Sequence, residues 1–121
     1  MKYILAISVV MIFFFALMPG KMTPAFIVDN DKAVHATVFF MLALMLQRSF
    51  PQVRFWPRLM LLAMMALGIE VLQYFVADRG FSRGDLVFDG LGLIVYAAWT
   101  IVVKSAAKRL EKQSDRPDKR V

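Results

Sequence analysis

Polar side chains are scarce in the apolar parts of this 121-residue chain, and those present fall into short, spaced groups. His35 closes the run Asp31-Lys32-Ala33-Val34-His35, Glu70 and Gln73 stand three residues apart, and Asp85 and Asp89 stand four apart. On a helix those spacings put both members of a pair on one face. An imidazole set among carboxyls can carry general acid–base work or hydrogen-bond a polar ligand. Glu70 and His35 are therefore the candidate acid–base couple, with Gln73, Asp85 and Asp89 as candidate binding groups. A lone histidine among carboxylates is also a donor set for a divalent ion. The chain has no His-x-x-x-His or comparable spacing, however, so no metal and no other cofactor is assigned.

The loop Asp78-Arg79-Gly80-Phe81-Ser82-Arg83-Gly84-Asp85 supports two readings. Ser82 and Asp85 have the spacing of a capping box, in which each side chain satisfies a free backbone N–H at a helix start. That explains Asp85 but not Asp89, one turn further on. Alternatively Arg79 and Arg83, beside the free N–H groups of that helix, clamp a phosphate or carboxylate. Asp31 is a candidate cap for an earlier helix, which leaves Lys32 and His35 on one surface. The plainer alternative for the buried set is structural: Glu70, Gln73 and His35 bond one another and fix helix packing.

The elements that must position these groups are apolar helices. Hydrophobic residues make up 60% of the chain, against about 45–50% in an ordinary soluble domain, and the mean hydropathy is +0.60. The net charge of +6 does not indicate a nucleic-acid partner, because long stretches carry no charge at all. The absence of cysteine excludes disulfides, thiolate metal sites, a cysteine nucleophile and a lipoprotein anchor. No Gly-x-Ser-x-Gly and no phosphate-binding glycine loop is present.

Four apolar segments predict helices over about 3–18, 33–50, 57–76 and 86–103, measured against the roughly 20 residues a span needs. The expected fold is all-α: an integral membrane four-helix bundle with short loops, filling residues 1–103. A basic, polar tail over 104–121 is expected to be disordered and cytoplasmic. The first segment lacks a small-x-small cleavage pattern and reads as a span rather than a signal. Pro19, Gly20, Pro24, Pro51 and Pro57 punctuate the connections. Gly68 and Gly92 are candidates for close helix approach. Eleven of the fifteen lysines and arginines fall on the face shared by the amino terminus, the second loop and the tail, which predicts that both termini are cytoplasmic. The polar groups then gather near the opposite face, with Glu70 about seven residues, or roughly 10 Å, inside its span.

In order along the chain, Asp31-Lys32-x-x-His35, an apolar helix, Glu70-x-x-Gln73, Arg79-x-x-Ser82-x-x-Asp85 and Gly90-x-Gly92 resemble the VanZ-like family. These are small bacterial membrane proteins whose founding member accompanies glycopeptide resistance and lowers susceptibility to teicoplanin. The resemblance covers roughly residues 18–97. By position, Asp31, Lys32 and His35 match the family's Asp-Lys-x-x-His, Glu70 and Gln73 its Glu-x-x-Gln, and Arg79, Ser82 and Asp85 its Arg-x-x-Ser-x-x-Asp. Phe39 stands where the family often has a tyrosine or another aromatic and matches it as an aromatic, and Asp89 stands where it commonly has asparagine.

The resemblance implies a multi-pass protein of the bacterial cytoplasmic (inner) membrane. With the buried polar set, it suggests an outward pocket for an amphiphilic or anionic cell-envelope ligand, such as a lipid-linked cell-wall precursor or a lipoglycopeptide. Lys32, Arg79 and Arg83 would hold the anionic head beside Asp31, Gln73, Ser82, Asp85 and Asp89. The expected partners are that ligand and the lipid bilayer, with no nucleic acid, and a homo-oligomer is allowed. Two other classes are a small proton-coupled exporter using Glu70 and a scaffold whose tail recruits a cytoplasmic partner.

Overall fold

Each apolar segment folds as a helix, because a backbone surrounded by apolar side chains must satisfy its own N–H and C=O groups. The structure, a computed structural model, describes residues 1–115. The helices are α1 (Lys2–Ala16), α2 (Ala25–Asp29), α3 (Asp31–Ser49), α4 (Phe55–Gln73) and α5 (Arg83–Ser114), with a 3-10 turn at Gly20–Met22. No strand occurs among the described residues. The all-α expectation therefore holds. Two helices, α4 and α5, are long and apolar enough to cross a membrane, and α1 is a shorter apolar helix.

Three differences from the sequence reading have local causes. Pro24, expected to punctuate a connection, instead sits at the start of a short helix, α2, where its missing N–H costs nothing. Pro57 lies inside the first turn of α4 for the same reason. The third difference is larger: α5 does not stop at Val103 but continues through Ser114. Disorder was the wrong expectation for Lys104–Ser114, because its Ala, Lys, Arg, Leu, Glu and Gln are strong helix formers whatever their charge. The part of that expectation falling on residues 116–121 lies outside the described residues.

The core is built from Phe39, Leu42, Ala43 and Leu46 of α3, Leu62, Ala66 and Ile69 of α4, and Leu93 and Tyr96 of α5, closed on one side by Leu5 of α1. Other large apolar side chains face outward along the helices, among them Ile7, Val10 and Phe14 of α1, Met60 and Met64 of α4, and Ile94 and Val102 of α5. Exposed apolar rows of this extent mark a surface that meets a partner or lipid rather than water. The backbones of α3 and α5 come close together at Gly92. A Cβ on Gly92 would overlap the Ala36 carbonyl, so only glycine lets the helices touch there. Gly68, the other expected contact, has no atom near its absent Cβ and packs against nothing.

Candidate functional site

Because α3 and α5 begin where α1 and α4 end, the chain brings its polar residues to one end of the bundle. Asp31 and His35 come from the first turns of α3, Glu70 and Gln73 from the last turn of α4, and Asp85 and Asp89 from the start of α5. The end of α4 at Gln73 also corrects the depth of Glu70. It lies under one turn, about 4.5 Å, from the helix end rather than roughly 10 Å.

His35 is the hub. Its Nδ1 lies 2.7 Å from Asp89 Oδ1, and because a carboxylate can only accept, Nδ1–H donates. Its Nε2 faces Asp31 Oδ1 at 3.6 Å and Asp85 Oδ2 at 3.8 Å. Asp89 is 0% exposed, so its bond to His35 is made away from solvent, whereas Asp31 is partly open to it.

The capping box forms by half. Ser82 Oγ accepts from Asp85 N at 3.1 Å, as the spacing predicts. The reciprocal bond is made by another helix: Ser82 N donates to Glu70 Oε2 at 2.9 Å. Glu70 of α4 thus caps the start of α5, and the Asp85 carboxyl is left to face His35. Asp31 caps nothing. Asn30 occupies that position, and its side chain turns back to donate to Phe26 O at 3.0 Å.

The structural alternative, with Glu70, Gln73 and His35 bonded to one another, is not what the fold contains. Gln73 Nε2 donates to Ala16 O at 3.1 Å, tying the end of α1 to the end of α4. Arg79 donates to Thr23 Oγ1 at 2.7 Å and to Phe15 O at 3.3 Å, which fixes its guanidinium inside the loop region. Arg83 and Lys32 are exposed, and the Lys32 stem lies close to Gly84. The expected clamp of Arg79 with Arg83 and Lys32 is therefore not assembled. Of the three, only Arg79 faces the cavities described next.

Two adjoining cavities open beside the cluster. One, of about 230 Å³, runs between α1, α3 and α4 and is walled by apolar side chains such as Ile12, Phe15, Val38, Phe39 and Ile69. The other, of about 270 Å³, lies among the loops and is walled by Thr23, Asp78, Gly80 and Asp85. Ile27, Asp31, Gln73 and Arg79 border both, so the apolar trough leads into the polar chamber.

Sequence reasoning missed a second polar network at the far end of the bundle. Arg58, one of the basic residues counted on the face of the second loop, is 5% exposed and donates to Tyr96 Oη at 2.8 Å and Val53 O at 2.6 Å. Tyr96 in turn donates to Gln47 Oε1 at 2.5 Å. The only signal was an arginine inside an otherwise apolar segment. Comparison of the chain with family models, with curated proteins and with solved structures gives no match.

Proposed function

We propose that this chain is a VanZ-like protein of the bacterial cytoplasmic membrane that binds an amphiphilic cell-envelope ligand, a lipid-linked cell-wall precursor or a lipoglycopeptide. Four helices, α1, α3, α4 and α5, cross the bilayer with both termini on the cytoplasmic side. The His35 end then faces outward. The observation that carries the binding reading is the apolar trough continuous with a polar chamber, since a ligand with a hydrocarbon tail and a polar head needs that pairing. Arg79 borders both cavities and is the cation available to an anionic head. The exposed apolar rows on α1, α4 and α5 agree with a bilayer around the helices.

An exporter reading finds less support. Glu70 is engaged in capping α5 at one end of the bundle, whereas a transport carboxylate must be released to both sides in turn.

The test is binding by the purified chain in nanodiscs, comparing teicoplanin, which carries an acyl tail, with a glycopeptide that has none. The expected result is tail-dependent binding that a trough-filling Val38→Trp substitution weakens. Equal binding of both compounds, or no effect of V38W in a folded protein, would remove the trough from the account.

A further inference from the structure

We infer that the cluster around His35 is a binding site for a divalent transition-metal ion, with His35 Nε2, Asp31 and Asp85 as its protein ligands. This stands on the donor geometry and does not depend on what fills the trough.

The first observation is the way the imidazole is held. A metal-binding histidine characteristically gives its other ring N–H to a carboxylate, which fixes the ring and makes the free nitrogen a better donor. Asp89 does this to Nδ1 at 2.7 Å from a position with no exposure. Nε2 is thereby turned to Asp31 and Asp85 at 3.6 and 3.8 Å, beyond hydrogen-bond length. Donors bound to one ion at about 2.1 Å in tetrahedral arrangement stand about 3.4 Å apart, so a small contraction completes the site. The donor atoms of this triad lie within 4.8 Å of one another. Asp31 and Asp85 also line the polar chamber, which gives an ion a way in.

The second observation is unpaired charge behind the triad. Glu70 and Asp89 are 0% exposed, and each keeps one oxygen, Oε1 and Oδ2, without a hydrogen-bond donor. With His35 they form a second set of donors inside 4.8 Å. Among the described residues, the ion pairs made by Asp31, Asp85 and Asp89 all go to His35, and Glu70 makes none. Four carboxyls around one imidazole carry more negative charge than a single imidazolium can offset, and buried carboxylate oxygens without partners are costly. A divalent cation supplies the missing charge. One imidazole with carboxylates suits Mn2+ or Zn2+.

The full-length chain, purified in nanodiscs with no amphiphile added and stripped with EDTA, is titrated with Mn2+ and Zn2+ by calorimetry. One ion per chain is expected. Asp85→Asn should weaken binding by at least about 10-fold, and Asp89→Asn, which releases the ring, by about 10–100-fold. Asp29→Asn, at an exposed carboxyl on α2, should bind as the unmodified chain does. Pulsed EPR of bound Mn2+ should report coupling to an imidazole nitrogen in the unmodified protein, a readout that needs no variant. Absence of saturable binding, absence of nitrogen coupling, or an equal loss in D29N would overturn the assignment.

Discussion

Glu70 holds two positions with one carboxyl. Oε2 accepts from Ser82 N and starts α5, while Oε1 is buried without a donor and the carboxyl lies in the group with His35 and Asp89. Substitutions should separate these roles. Glu70→Gln keeps an acceptor for Ser82 N, so its stability should stay close to that of the unmodified chain. Glu70→Ala leaves that N–H unpaired and should cost about 1–3 kcal/mol, read by denaturant unfolding in detergent. A site role requires E70Q to remain folded yet change ion or ligand affinity. If E70Q and E70A lose stability equally, capping is not what Glu70 contributes. The pairings at this scale were partly legible. Ser82 and Asp85 announced a cap by spacing alone, because a capping box is local. That Glu70 would supply its other half could not be read, since the bond spans twelve residues and depends on how α4 meets α5.

At the scale of elements, the helices were legible wherever hydrophobicity dictates them, and the errors fell at their ends. α5 has 32 residues, about 48 Å, and its last third is polar, so a reading that followed apolar content stopped at Val103. Helix–helix contact was legible only as candidate glycines, and the structure separates the two. Gly92→Ala would drive a Cβ into the Ala36 carbonyl, forcing α3 and α5 apart at a cost of about 1–3 kcal/mol. Gly68→Ala meets nothing and exchanges a poor helix former for the best one, so it should be neutral or stabilising by up to about 1 kcal/mol. Thermal unfolding of the two variants side by side measures the difference. Equal effects would mean that α3 and α5 are not in backbone contact at Gly92. The far end of the bundle has its own tie: Tyr96→Phe removes the hydroxyl between Arg58 and Gln47 and should cost about 1–2 kcal/mol. Arg58 was counted only for its charge, because its partner Tyr96 is 38 residues away and belongs to another helix.

For the whole molecule, the chamber poses an electrostatic problem. Asp31, Asp78 and Asp85 line it, and Arg79 is the one basic residue in its wall among the described residues. An anionic head would meet more negative than positive charge there, although the trough beyond is shaped for a tail. A bound divalent ion would resolve the conflict, neutralising Asp31 and Asp85 and offering the head a coordination position. If both sites are as proposed, the two ligands must be linked, and linkage is reciprocal: each raises the other's affinity by the same factor. Binding of an acyl-tailed ligand with an anionic head should therefore weaken about 10-fold or more when EDTA removes the ion, roughly 1.4 kcal/mol of coupling. A neutral-headed analogue with the same tail should bind equally well with and without the ion. Mn2+ affinity should rise by the matching factor when the anionic ligand is saturating. Calorimetric titrations in both orders check this. Equal binding of the anionic ligand with and without metal would place its head away from His35 and leave Arg79 as its cation in the chamber wall among the described residues.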